Sequence, residues 1–229
     1  VRLLLCMMLC LLTPAQPGEA PTPFERTLEA IDAKAAAIED LVADFEQQKK
    51  TPLLKKPLVS RGTVRVKGAK TRWDTTHPHP TVMTIDASEL RIYYPEQKTV
   101  EVYPIRAGMS RLAASPLPRL SVVREHFTIE ETPAKELDPQ AKPGEVGLRL
   151  APREESLKEH VAQVRVLLDP ATGVGRRVEI TDAEGEVTTL TFTNVRANTG
   201  VREESLVLRT PPGTTESRPL EGGKPRSDR

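Results

Sequence analysis

Two histidines at alternate positions, in Thr76-His77-Pro78-His79-Pro80, are the first residues whose types could do chemistry together. Two imidazoles can share a metal, but a zinc site takes at least three protein ligands and the sequence identifies no third donor. The flanking prolines favour a turn. His126 and His160 stand among charged residues and read as surface groups. The carboxylate pairs Glu130-Glu131 and Glu154-Glu155 are the next candidates, for acid–base work. Neighbours on a strand point to opposite faces, so neither pair converges on one bond. No serine or cysteine nucleophile motif is present, and the two cysteines, Cys6 and Cys10, both lie in an apolar run near the start. The expectation is a protein that is not an enzyme and needs no metal or cofactor.

What remains is apolar patterning. Strand parity places Thr71, Trp73 and Thr75 on one face, with Arg72 and Asp74 on the other. The same rule groups Met83 with Ile85, Leu90 with Ile92 and Tyr94, and Val100 with Val102. These rows are the predicted wall of an apolar cavity. Trp73 suits two roles equally, a core residue that packs the sheet and a residue that touches a ligand.

The elements that would carry these rows follow from local signals. Thr22-Pro23-Phe24-Glu25 has the form of a capping box with proline at the first helical position, and Leu28, Ile31, Ala35 and Ile38 continue one helical stripe. From Leu41 the pattern suits either a continued helix or a strand. Residues 58–67, 71–76, 81–86, 89–94 and 98–103 are short, β-rich and separated by turns, which predicts antiparallel strands. Residues 105–125, interrupted by Pro116 and Pro118, read as short helices or a covering loop, with Leu112, Leu117 and Leu120 as its apolar contacts. Strands resume over 127–131, 146–150, 161–169, 175–182, 187–193 and 205–209. Residues 214–229 lack apolar periodicity and are expected to be a disordered tail.

So many strands curl rather than stay flat. The predicted fold is mainly β with α: a curled antiparallel sheet forming a half-open barrel, covered by the N-terminal helix and a helical or loop lid. Periodicity serves a ligand cavity and a filled barrel equally well.

Lys+Arg 33 against Asp+Glu 32 leaves a net charge of +1, so no overall field attracts nucleic acid. Residues 1–15 read as a secretory signal: Arg2, the apolar run Leu3 to Leu12, then Thr13-Pro14-Ala15 with cleavage after Ala15. Ten apolar residues reach about 15 Å as a helix, roughly half the hydrocarbon thickness. Residues 16–23 form a Pro-rich spacer, and the domain runs over 24–213. Export would leave the mature chain without cysteine.

Several segments resemble the LolA family of lipoprotein carriers. Val42-Ala43-Asp44-Phe45-Glu46-Gln47 is similar to the family's first-strand "A-D-F-x-Q", which makes residues 41–51 a strand. Gly62 to Lys67, Arg72-Trp73-Asp74-Thr75, Leu90 to Pro95 and Val100 to Tyr103 continue the match, and Leu208 to Gly213 is similar to the closing "F-x-P-P-x-G". The resemblance implies an unclosed antiparallel barrel around a hydrophobic cavity. It implies a monomeric periplasmic protein that takes lipoprotein acyl chains from an inner-membrane ABC release transporter and hands them to an outer-membrane acceptor. A sensing or partner-binding envelope module, or a carrier of free lipid or glycolipid, would use the same fold. Two departures stand out. The family's lid-latching arginine falls here on Gly68, between Lys67 and Lys70, and lysine lacks the guanidinium's planar fork. Aromatic residues make up only 3% of the chain, so aliphatic side chains must supply most of the wall.

Overall fold

The computed structural model describes residues 20–105, 116–117 and 119–221. The signal segment and Leu112 of the predicted lid therefore lie outside the described residues. Helix α1 spans Pro23–Ala36 and starts where the capping box places it: Glu25 N–H donates to Thr22 Oγ1 at 3.2 Å, and Thr22 N–H donates to Glu25 Oε2 at 2.6 Å. Its stripe of Leu28, Ile31 and Ala35 is buried. Among the described residues no helix is long and apolar enough to cross a membrane.

Twelve strands follow in one sheet. They are β1 (Asp40–Lys50), β2 (Leu58–Lys67), β3 (Lys70–His77), β4 (Thr81–Ile85), β5 (Glu89–Tyr94), β6 (Thr99–Pro104), β7 (Phe127–Thr132), β8 (Val146–Pro152), β9 (Val161–Asp169), β10 (Val174–Asp182), β11 (Val187–Ala197) and β12 (Thr215–Ser217). Short helices α2 (Leu120–His126), α3 (Ala134–Leu137) and α4 (Glu155–Lys158) interrupt the second half. The spatial order is β12-β6-β5-β4-β3-β2-β1-β11-β10-β9-β8-β7, so β12 and β7 are free edges and the sheet is not closed into a barrel. All neighbours are antiparallel except β12, which runs parallel to β6.

One face of this sheet is apolar across its middle. Ala43, Val64 and Trp73 are matched in register on β1, β2 and β3, and Leu148, Val166, Val178 and Leu190 are matched on β8, β9, β10 and β11. Both rows enter one buried cluster with Leu28 and Ile31 of α1 and with Leu117, Leu120 and Val123 at α2. The helices thus sit against this face, the concave one, and Leu117 and Leu120 pack in the same cluster. Around the seam between β1 and β11, Phe45 pairs with Phe192.

Two expectations fail at the C-terminal end. Residues 205–209 form no strand; Glu203–Leu206 is a 3-10 turn. Residues 215–221 are not an unstructured tail, because Thr215–Ser217 pairs with Thr99–Glu101 and Pro219–Glu221 forms a further 3-10 turn. Both have one cause: this segment is fixed by long-range contacts that local periodicity does not encode. Arg72 donates to the Val207 carbonyl at 2.9 Å and Lys67 to the Val201 carbonyl at 2.7 Å.

Asp40 opens β1 and holds the return of the chain. Its carboxylate is 4% exposed and accepts from Thr199 N–H at 2.8 Å, the Thr199 hydroxyl at 3.0 Å and Gly200 N–H at 3.0 Å. Burial pushes its pKa up, but the hydrogen bonds from Thr199, Gly200 and Val201 outweigh it and hold the carboxyl below its usual value. A depressed folded pKa contributes stability above the unfolded value, near 3.9, that is lost as pH falls through the folded one. Asp40→Asn is expected to cost ~2 kcal/mol at pH 7. In urea titrations repeated across pH, the gap between parent and variant should close below about pH 4. A gap that stays constant down to pH 2 would show that the ionised form is not what the loop binds.

Candidate functional site

The register of β3 to β6 decides which predicted wall residues stand together. Trp73 pairs with Met83, Met83 with Ile92, and Ile92 with Glu101. The next row is Thr71, Ile85, Leu90 and Tyr103. Directly paired residues share a face, so Trp73, Met83, Ile85, Leu90, Ile92 and Tyr94 all lie on the concave side. Val100 and Val102 do not. Val100 pairs with Tyr93, and Val102 with Arg91, on the opposite face. There Val100 and Val102 form a separate buried cluster with Tyr93, against which Val82 and Leu208 pack. Aiming the apolar side of Thr99–Pro104 inward presumes that the other side faces water, whereas here the C-terminal segment covers it.

The concave positions of β6 are polar instead. Glu101 Oε2 accepts from the Tyr94 hydroxyl at 3.2 Å and from the Tyr103 hydroxyl at 2.9 Å. Desolvation, and then the Glu101 charge, push the Tyr94 phenol up; the bond to Glu101 is the first cause of the same shift at Tyr103. Both phenols therefore stay protonated donors, and the apolar row from Trp73 through Met83 and Ile92 ends at Glu101.

Trp73 packs in the core and also borders a pocket. Its ring meets Phe45 edge-on, with centroids 4.9 Å apart at 68°, and lies 6.0 Å from Phe192. It also lines a pocket of about 340 Å³ at the end of the concave face nearest the β3–β4 turn, with Phe45, Met83 and Ile92. Thr75, Thr81 and Tyr94 form the next row outward, and Gln47, Ser60 and His79 complete the rim. Sequence reasoning does not assign Phe45 and Phe192 to the wall. Parity could have found Phe45, two positions beyond Ala43 on β1; Phe192 needed the β1–β11 register.

Further openings flank the core. One, of about 280 Å³, lies between the β2–β3 turn and the cover, lined by Val66, Gly68, Leu117 and Arg119. Gly68 has φ +57, a left-handed conformation that the two-residue turn between Lys67 and Lys70 demands, and open space where a Cβ would project. The predicted latch position thus faces the cover, but it carries no side chain, and Arg119 supplies a cation to the same opening from the cover's side. Another, of about 1010 Å³, opens where β10 and β11 part: their pairing ends at Arg177 and Thr191, although β11 runs on to Ala197. Phe192, Val174 and Ile38 reach it from the core, and Pro143 and Arg176 from the outer side. None of the predicted wall residues lines it.

Several of the chemical candidates are paired. His79 Nδ1 lies 3.5 Å from Glu96 and His126 Nδ1 lies 2.7 Å from Glu154, so His126 is partly covered rather than a plain surface group. Glu130 is bridged by Arg149. Among the described residues no three His, Cys, Asp or Glu side chains are grouped to hold a metal.

Among solved structures, a conserved protein of uncharacterised function from Thermus thermophilus is similar in fold, with 13% identity, a TM-score of 0.51, and coverage of 86% of this chain and 99% of the other. A LolA superfamily protein from Nitrosomonas europaea matches with 12% identity and a TM-score of 0.42, over 80% of this chain and 96% of the other. A chain of the Pseudomonas aeruginosa MucA/MucB complex matches with 12% identity and a TM-score of 0.44, over 80% and 60%. A comparison with curated protein sequences returns no match. The family model "Outer membrane lipoprotein carrier protein LolA" matches residues 36–205, from the end of α1 to the 3-10 turn after β11. With an open twelve-stranded sheet, helices against its concave face and a match over most of its length, the chain belongs to the LolA family.

Proposed function

We propose that the protein is a periplasmic carrier that holds the acyl chains of lipoproteins against the concave face of its sheet and moves them between membranes. The observation that supports this best is the row Trp73, Met83, Ile92. It is apolar, it is aligned across three strands, and Met83 and Ile92 are only partly covered by the protein itself. A side chain meant only for the core would be sealed. Each methylene laid on such a surface gains ~0.8 kcal/mol on leaving water, with no polar contact required. A carrier must also let go, and delivery requires the next partner to hold the chain more favourably. On this reading the donor is an inner-membrane ABC release transporter, the recipient is an outer-membrane acceptor, and the carrier acts as a monomer after its signal is removed.

Mass spectrometry of protein taken from the native periplasm is the direct test. Acylated lipoprotein is expected to leave with it, and extraction of the acyl species should restore binding of a fluorescent fatty-acid probe. Protein that carries no acylated molecule and binds no probe would exclude the carrier function.

A further inference from the structure

Three leucines stand in open solvent on one hairpin. Leu53 is 89% exposed, Leu58 56% and Leu54 47%; Leu53 and Leu54 lie beyond the last pair of β1 and β2, which joins Lys49 to Leu58. One exposed leucine needs no explanation, but three on a single projecting turn make an apolar patch. Local bonds shape it. Pro52 fixes one backbone angle of the turn, Leu54 N–H donates to the Thr51 carbonyl at 3.2 Å, and Leu53 N–H donates to the Thr51 hydroxyl at 3.3 Å. A tip pinned in this way has little ordering left to lose when it binds.

The same segment is basic. Residues 49–58 carry Lys49, Lys50, Lys55 and Lys56 and no acidic residue. Lys49 is bridged to Glu186 of the neighbouring β10–β11 turn. Lys50, Lys55 and Lys56 are exposed, and none of them forms an ion pair among the described residues. Leucines flanked by unpaired lysines suit a surface that is apolar inside and anionic outside: the leucines pass the headgroups while the ammonium groups stay among the phosphates. An apolar groove on another protein would also take the leucines, but its carboxylates would have to be placed to match each lysine. A fluid anionic bilayer matches them without fixed geometry.

We propose that the tip of the β1–β2 hairpin, residues 50–58, is a bilayer-contact site that inserts Leu53 and Leu54 among the headgroups of an anionic membrane. The site goes beyond acyl binding, because it asks nothing of the concave face. With a net charge of +1 the chain has no long-range attraction to a membrane, so contact depends on this tip. Two leucines and three lysines give a reversible hold rather than an anchor. Gln47 and Ser60, at the rim of the pocket beside Trp73, are paired on the same two strands a few residues back from the tip, so docking brings that rim toward the bilayer.

Vesicle flotation with the purified protein tests the site. The probes are vesicles of phosphatidylglycerol mixed with phosphatidylcholine, and vesicles of phosphatidylcholine alone. At roughly fivefold per lysine, the parent is expected to prefer the anionic vesicles ~100-fold at low salt and to lose most of that margin at high salt. Lys55→Gln combined with Lys56→Gln should leave a preference of about fivefold. Leu53→Ser combined with Leu54→Ser should weaken binding to both vesicle types at least ~10-fold. In Leu53→Trp, the new emission should be quenched by lipids brominated on their chains, against the background of Trp73, which is 5% exposed. Because the tip is exposed and apart from the concave face, both double variants should keep the parent's thermal midpoint and its affinity for a fluorescent fatty acid. Equal binding of the two vesicle types by the parent, or a lysine variant that keeps the parent's preference, would overturn the site and leave acyl binding standing. A leucine variant that floats like the parent would overturn insertion and leave the leucines to a protein groove. A parent that binds anionic vesicles but no fatty acid would uphold the site and overturn acyl binding.

Discussion

Ile92→Glu is expected to abolish acyl binding while the sheet stays folded. Ile92 sits in the middle of the concave row, between Met83 and Glu101, and is partly exposed. In the free protein a glutamate there keeps contact with water, at the cost of facing Glu101 across the strand pair, ~0.2–1 kcal/mol for like charges directly opposite. A bound chain would strip that water, and an unpaired carboxylate against hydrocarbon costs several kcal/mol or changes protonation instead. Affinity for a fluorescent fatty acid should fall at least ~100-fold, equivalent to ~2.7 kcal/mol, with a thermal midpoint close to the parent's. Val102→Ala supplies the contrast. Val102 is fully buried on the opposite face among Tyr93, Val100 and Leu208, so truncation should cost ~2 kcal/mol of stability and leave acyl affinity unchanged. The pair separates the two faces of one sheet. If Val102→Ala weakened binding as strongly as Ile92→Glu, the faces would have been assigned the wrong way round.

Gly173→Ala is expected to have the largest effect on stability of any single methyl group added to this chain's turns. Gly173 closes the β9–β10 turn with φ +76, where a non-glycine residue costs ~1–2 kcal/mol. A Cβ there would also lie 2.6 Å from the Ala35 nitrogen and 2.8 Å from the Ile31 carbonyl oxygen, so α1 itself would have to move. The helix is tied at the same place, since Lys34 donates to the Ala171 carbonyl at 3.1 Å. Overpacking of this kind adds ~1–3 kcal/mol. A combined loss of ~3 kcal/mol or more is expected in urea unfolding, and because α1 covers the concave face, hydrogen exchange should accelerate in Pro23–Ala36 before it does in the strands. Gly68→Ala is the control. It shares the left-handed conformation but has nothing within 4 Å of the added carbon, so it should cost only the conformational part. Equal losses for the two would mean that α1 does not rest on the turn.

Much of the fold was written locally. The capping box from Thr22 to Glu25 starts α1 because two backbone amides find their acceptors within one turn, whatever the rest of the chain does. Strands over Leu58–Lys67, Glu89–Tyr94 and Val161–Asp169 were bounded by their own turn residues, and the parity of Trp73, Met83 and Ile92 needed only the two-residue repeat of a strand. Residues 41–51 were ambiguous between helix and strand by periodicity. The resemblance to LolA carriers made them a strand, and the structure has β1 over Asp40–Lys50.

What the sequence determined, then, is which residues alternate together; what the tertiary structure decided is toward which side they turn. Val100 and Val102 were grouped correctly and aimed wrongly, because a period of two fixes relative orientation and leaves the phase to the hairpin that pairs Ile92 with Glu101. Hydrophobicity pointed the phase the wrong way, since the apolar face of β6 is buried on the side away from the concavity, under Leu208 from a segment more than a hundred residues away in sequence, while its concave positions Glu101 and Tyr103 are polar and only partly buried. For the same reason the return of residues 198–217 along β1 and β6 left no local trace, and neither did the seam where β10 and β11 part. An isolated strand carries its own alternation, but its neighbours and its cover come from the rest of the chain.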